Sequence, residues 1–441
     1  MDTWASFEEA IARILRRISP EAAGDRSRQA ITSRAAAHLA NLQRFLRFTG
    51  WEDRSLPIVH VTGTSGKGST CALIAAGLHR RGWRVGLTTS PYVQVFTENI
   101  RVDGRLLSAH DLLTLLTEIE TAEAIWLERD ASGVRLNYGG LRTVLALRAF
   151  AAAEVDVAVF EVGSGGRFDL TNVVDPITSV ITSIEEDHLL SLGPSLEDVA
   201  WHKSGIIKPG SSVVVPPLAD DVGTVVLRRA LAVDADITVA ASGEEEFAAR
   251  NTLLAQAAID QAMRLLPPPL LASAQREAHE DVDWEMPARW EAMPRRTGEV
   301  AVMIDGAHNA EKARGLASML RAQHPDGVVL LCGFLSSKDA RAFAAAVAPW
   351  CVSVIAATPK VVAKVGMTPE LVVKTFQEIG VPARVGGDGS SLEALPVAMA
   401  EARRLDRPLV VSGSLYLAGE VRRAWYPDRA IVEQRSCWPT V

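Results

Sequence analysis

The run Ile58-Val59-His60-Val61-Thr62-Gly63-Thr64-Ser65-Gly66-Lys67-Gly68-Ser69-Thr70 joins an apolar segment to a glycine-rich turn, a lysine and two hydroxyls. These are residue types that hold a polyphosphate. Glycines let the backbone turn its N–H groups toward an anion, and a helix starting just beyond them adds the positive end of its dipole. In such a loop Lys67 reaches the outer phosphates, and Ser69 or Thr70 helps to order Mg²⁺. The turn is shorter than G-x-x-x-x-G-K-[ST], and Gly68 follows the lysine. For the loop alone, a tight strand-to-helix turn with an incidental lysine therefore stays open.

More polar groups follow apolar runs further along: Thr88-Thr89-Ser90-Pro91, Phe160-Glu161-Val162-Gly163 and Ile184-Glu185-Glu186-Asp187-His188. Open α/β sheets bind ligands at the carboxyl ends of their strands. A hydroxyl, a carboxylate and a histidine gathered there around a triphosphate suit Mg²⁺, with phosphate oxygens and water completing its shell. Taken singly, Glu161 could cap a helix and His188 could be a satisfied core histidine. Their shared position after successive strands favours a site.

These positions need a particular frame. Short β-branched runs at 58–61, 84–88, 155–161, 178–184 and 212–215 alternate with helical stretches at 70–81, 141–153 and 196–204, the pattern of a parallel sheet covered by helices. A helix starting near Ala248 is broken at Pro267–Pro269. The alternation then restarts, with strands at 300–304, 328–332, 353–357 and 409–411 and helices at 311–323, 340–348, 369–379 and 392–405. Gly386–Ser391 reads as a short loop. The expected class is α/β, with an N-terminal P-loop ATPase-like domain over 1–290, including a helical start, and a Rossmann-like domain over 291–441. The boundary falls near 286–298.

Composition excludes other classes. The 46 basic and 53 acidic residues leave a net charge of −7, which supplies no global field for nucleic acid or an anionic membrane. Four scattered cysteines make neither a disulfide framework nor a CxxC metal site. No eighteen-residue apolar run is present, and the amphipathic, acidic start is unlike a secretory signal. A cytoplasmic monomer is expected, with no nucleic-acid or membrane partner.

The motifs above, together with Glu161-Val162-Gly163-Ser164-Gly165-Gly166-Arg167-Phe168-Asp169-Leu170-Thr171-Asn172, Lys203-Ser204-Gly205-Ile206-Ile207-Lys208-Pro209-Gly210, Asp305-Gly306-Ala307-His308-Asn309 and the stretch from Ser412 to Arg422, occur in one order over nearly the whole chain. In these the sequence resembles the Mur-type ATP-dependent amide ligases, on their folylpolyglutamate/dihydrofolate synthase branch. The resemblance implies ATP and two Mg²⁺ sites. Gly63, Thr64, Ser65, Gly66, Lys67, Gly68, Ser69 and Thr70 match the ATP loop, and Ser90 and Glu161 match the ligands of the metal between the phosphates. His188 matches the second metal's ligand, as does Lys203, which family members often carry as a carbamate. Asn251 matches an adenine contact, while Arg289, Asp305 and His308 match positions completing the nucleotide site. Lys67, His188, Lys203 and His308 are the implied catalytic residues. The implied chemistry phosphorylates an acceptor carboxylate, and an amino acid, L-glutamate, attacks the acyl phosphate.

The acceptor side departs from that pattern. A Thr-x-Phe-Glu-like segment of the family contacts the pterin, but this chain has Tyr138-Gly139-Gly140 ahead of Thr143. Losing that carboxylate leaves pterin N–H donors unpaired, at about 1–3 kcal/mol each. Tyr92 stands where histidine is common, and Ser65 where asparagine is usual. Asp169, another family pterin contact, is present, with capping of the turn before Thr171-Asn172 as its alternative role. Tyr138 could supply a stacking surface or be core. Three functions therefore stay open: ligation of glutamate to a folate-type acceptor, the same chemistry on a non-pterin carboxylate, and a silent ATP-binding regulatory or assembly subunit.

Overall fold

In the computed structural model, residues 2–18, 27–51, 56–185, 189–240, 247–266, 284–295, 298–362 and 364–440 are described. They form two compact units. One comprises Met1–Tyr92, Phe96–Glu285 and Val432–Ser436, and the other Val93–Val95, Met286–Ile431 and Cys437–Val441. The division falls at 285/286, and each unit borrows a short segment from the other's stretch of chain, which a linear division at residue 290 does not express.

Among the described residues the first unit's sheet has eight strands: β1 (Ile58–Thr62), β2 (Val85–Thr88), β3 (Ile100–Val102), β4 (Arg105–Leu106), β5 (Val157–Glu161), β6 (Thr178–Ile181), β7 (Ser212–Val215) and β8 (Asp236–Val239). Their order is β4-β3-β2-β5-β1-β6-β7-β8. The six from β2 to β8 run parallel, while β3 and β4 add an antiparallel hairpin. All five β1 residues are buried, as expected of a central strand covered on both faces.

The helix Lys67–His79 is apolar nearly all round because it lies between this sheet and the helix Phe247–Leu265. Ile74, Ala75 and Leu78 share a core with Val59, Val61, Leu254, Ala258 and Ile259. This crossing sets the first turn of Phe247–Leu265 against the loop that starts Lys67–His79. The N-terminal helix Thr3–Leu15 buries Phe7, Ala10 and Ile14 at helical spacing. Arg13 and Arg17 pair with Glu120 and Glu123 of the helix Ala109–Arg129.

The second unit's sheet contains β9 (Glu291–Ala292), β10 (Val302–Ile304), β11 (Val328–Cys332), β12 (Cys351–Thr358), β13 (Ala383–Ser390) and β14 (Leu409–Ser412), ordered β13-β12-β11-β14-β10-β9. Only β9 is antiparallel to its neighbour. The expected loop at Gly386–Ser391 is corrected: most of it lies in β13. Glycines there weaken the local strand signal, but a Cβ at Gly386 would press on Ala394 and Ile355, so glycine permits the close approach of the helix Ser391–Leu405. The prolines at 267–269 lie outside the described residues. No helix among the described residues is long and apolar enough to cross a membrane, and the four cysteines are buried thiols outside any disulfide.

Candidate active site

Because β2, β5, β1 and β6 are neighbours, their carboxyl ends bring Ser90, Glu161, the 63–70 turn and residues 182–185 to one sheet edge. Glu161 is the last residue of β5 and is buried. Its Oε2 accepts the Ser90 N–H at 2.8 Å, which holds the carboxylate against the backbone that carries the Ser90 hydroxyl. Both are hard oxygen donors, the set that suits Mg²⁺. Cys71 lies in the same field. Burial first, and then the Glu161 charge, push its thiol well above the usual range, so it is an inert packing group.

The turn is laced to the end of β6. Thr64 N donates to Ser183 O at 3.0 Å, Ser65 N donates to Ser183 Oγ at 3.0 Å, and the Thr64 hydroxyl exchanges 3.1 Å bonds with the Glu185 backbone. Gly66 has φ +82° and precedes the first turn of Lys67–His79; a Cβ there would collide with the Asn251 side chain. A Cβ at Gly63 would likewise strike the Thr182 hydroxyl. Lys67 folds back across the turn, its Nζ donating to Gly63 O at 2.7 Å and Thr64 O at 3.3 Å. The ammonium thus already sits over the loop in which a phosphate would replace those carbonyls as partners. Asn251 Oδ1 and Thr70 Oγ1 are buried without a hydrogen-bond partner. The glycine cradle, these two orphaned atoms and the oxygen donors fit a magnesium-bound nucleotide. Among the described residues no three His, Cys, Asp or Glu side chains form a metal cluster. His188 lies outside the described residues.

Lys203 sits in the last turn of the helix Leu196–Ser204, whose start is closed by a reciprocal Ser195–Asp198 capping box. It is 1% exposed, an expensive place for an ammonium. Its neighbour His202 packs edge-on against Trp201 and near Phe168. Burial, with Arg167 second, lowers its pKa to about 4, so it is a packing residue that stays neutral.

Tyr138 opens the helix Tyr138–Ala152, and its ring meets Phe96 edge-on at 6.1 Å. Phe96 in turn meets Tyr92 at 6.2 Å. Gly140 N bonds the Asn137 cap at 2.9 Å, and Leu170 Cδ1 lies 2.7 Å from where a Gly139 Cβ would stand. Asp169 does cap the following turn: its oxygens accept from Ser164 N, Thr171 N and the Thr171 hydroxyl at 2.6–2.9 Å. That hydroxyl also meets His60 Nε2 at 2.9 Å.

Arg289, Asp305 and His308 gather within the second unit. Asp305 follows β10 and spans two segments, its oxygens accepting Trp290 N at 2.9 Å and Ala307 N at 2.8 Å. Burial raises its pKa, opposed by Arg289 and these N–H groups. His308 Nδ1 donates to Gly306 O at 2.8 Å, and Nε2 faces Lys312 Nζ at 3.3 Å. Burial, followed by the charges of Lys312 and Lys338, holds its pKa well below the ordinary value, so it acts as a neutral imidazole. With the exposed Arg289, these lysines give the β10 edge a cationic field suited to phosphate. Sequence reasoning did not find Lys312 or Lys338; the available signal was a lysine in the first turn of the helix Ala310–Gln323, four residues after His308.

Residues 61–263 match the model of the Mur ligase middle domain, and residues 289–424 that of the dihydrofolate synthetase C-terminal domain. The probable bifunctional folylpolyglutamate synthase/dihydropteroate synthase of Haloferax volcanii is 32% identical over 423 residues, covering 89% of this chain; the chain spans only 48% of that relative's length. Folylpolyglutamate synthase of Mycobacterium tuberculosis, solved with ADP and AMPPCP, superposes with a TM-score of 0.78 at 26% identity over 97% of this chain and all of the other. A bifunctional folylpolyglutamate synthase/dihydrofolate synthase with Mn, AMPPNP and L-glutamate bound superposes with a TM-score of 0.69 at 25% identity, covering 88% and 93% of the two chains.

Proposed function

The chain belongs to the Mur ligase family, and from that membership and the geometry of its phosphate turn we propose that it is an ATP-dependent, ADP-forming ligase joining L-glutamate to a folate-type carboxylate. One observation carries the reading: the Lys67 turn and the Ser90–Glu161 pair share one sheet edge. The turn's N–H groups and Lys67 bind the ATP phosphates, and Asn251 borders the nucleotide. Ser90 and Glu161 hold one Mg²⁺, and His188 with Lys203, as a carbamate, hold a second. Bound magnesium supplies charge neutralisation for phosphoryl transfer.

The acceptor carboxylate attacks the γ-phosphorus, releasing ADP and forming an acyl phosphate. The glutamate amine then attacks the acyl carbon, and the tetrahedral adduct expels phosphate to leave the amide. Because phosphoryl transfer needs mainly positioning and electrostatics, Lys67 and Arg289 contribute by holding charge in fixed places. Four buried thiols suit a reducing compartment, the cytoplasm.

A second reading, a non-pterin acceptor, is favoured by Gly139. Leu170 fills the space where its side chain would be, so this helix start offers no carboxylate to a pterin edge. Phosphate release from ATP, Mg²⁺ and glutamate, compared across dihydropteroate, tetrahydrofolate and pterin-free acids, separates the readings. Turnover with a pterin supports the first; turnover only with another acid supports the second. ATP binding without turnover on the whole panel would point instead to a regulatory subunit.

A further inference from the structure

The side chain of Arg422, at the end of the helix Leu415–Arg422, is wholly buried. Its Nε donates to both Glu291 oxygens at 2.9 Å, and Nη2 donates to Glu291 Oε1 at 2.8 Å and Cys437 O at 2.6 Å. Nη1 donates to Gln94 Oε1. The rings of Tyr426 and Trp438 lie 4.4 and 5.6 Å from its guanidinium carbon, and Trp438 Nε1 donates to Glu291 Oε1 at 2.7 Å.

This ion pair reaches the backbone that carries Arg289. Glu291 Oε2 accepts Ala288 N at 2.8 Å, while Trp290 N is held by Asp305 and Ala288 O accepts Gly306 N at 2.9 Å. Ala288 and Trp290 have φ of 55° and 51°, a left-handed region that side-chain-bearing residues seldom occupy. Strained backbone of this kind persists only where its surroundings over-determine it. A buried ion pair is not in itself a strong stabiliser, since apolar residues of similar volume often serve as well. A bidentate guanidinium does impose a geometry that apolar packing does not.

We propose that Arg422, acting through Glu291, is the positioning residue that locks the left-handed 288–290 turn and so presents Arg289 to the nucleotide. This rests on the reading above that Arg289 meets ATP. Truncating Arg422 would strand a buried carboxylate, so the test uses Arg422→Lys, which keeps the charge but loses the fork, and Glu291→Gln, which keeps an acceptor for Ala288. Steady-state kinetics are measured for both, for Arg289→Ala and for Arg422→Lys combined with Arg289→Ala, with thermal melts confirming folded protein.

Arg289→Ala, Arg422→Lys and Glu291→Gln are each expected to raise KM for ATP about tenfold while leaving KM for glutamate nearly unchanged. The double variant should be no worse than Arg289→Ala alone, because both changes remove one interaction. Raised KM for ATP in Arg289→Ala but not in the other folded single variants, or an additive double variant, overturns the positioning role. An unchanged KM for ATP in Arg289→Ala overturns the nucleotide reading of Arg289 and the proposal with it.

Discussion

The Ser90 N–H donates to Glu161 Oε2 at 2.8 Å, joining residues that follow or end two adjacent parallel strands. That bond fixes the Glu161 carboxylate at the sheet edge before any ligand arrives. Glu161→Gln preserves the acceptor for Ser90 and removes the charge. Losing one preorganised electrostatic partner costs roughly 10²–10³ in kcat. Phosphate release should fall by that factor with little change in the melting temperature; wild-type turnover would remove Glu161 from the metal site.

Gly66 offers a test of the cradle. An alanine there meets the Asn251 side chain and must hold φ +82°, which costs an L-residue about 1–2 kcal/mol. Gly66→Ala is expected to lower both melting temperature and ATP affinity. Adding Asn251→Ala relieves the collision and should recover part of the melting temperature without restoring nucleotide binding. Unaltered ATP titration of Gly66→Ala would show that the turn does not bind phosphate.

Lys203 should carry a carbamate, which turns a buried ammonium into an oxygen ligand. Activity of the natural protein is expected to decline in carbon-dioxide-depleted buffer and return with bicarbonate. Lys203→Ala should be inactive in both. Full activity of that variant removes the carbamate role.

His60 predicts an acid-sensitive fold. Burial lowers its pKa from 6.5 to about 3, outweighing the opposing charge of Asp169. Below pH 6.5 the unfolded chain therefore binds a proton that the folded protein refuses. Stability should fall with pH, by up to about 1.4 kcal/mol per unit from this group, until the folded pKa is reached. His60→Gln, which can still bond the Thr171 hydroxyl, is expected to flatten the melting temperature between pH 6.5 and 4. An unchanged slope would assign the acid sensitivity elsewhere, as to His202 and His308, whose pKa values are also lowered.

Much of the first unit is legible in the chain itself. The 58–61 run and the residues after it announce β1, the turn and Lys67–His79, because local apolar pattern and glycine placement determine such a unit. Ser90 and Glu161 were equally readable as ends of strands. The short strands β3, β4 and β9 were not, since two or three residues carry too little periodicity. The glycine-rich β13 was misread because strand pairing overrides propensity.

Sequence by itself determined which residue types stand at the ends of which strands, and with them the glycine-rich turn, its lysine and the motifs that carry the family resemblance. Tertiary structure decided what those residues touch. Nothing in the residues around Arg422 announces an ion pair; the fold buries this arginine against Glu291 and Gln94, residues distant in the chain. Asp169 read equally as ligand or cap, and its contacts show the capping role. The reason is physical. Turn and strand preferences are encoded over a few neighbouring residues, whereas desolvation and long-range pairing arise only when separate segments close on one another.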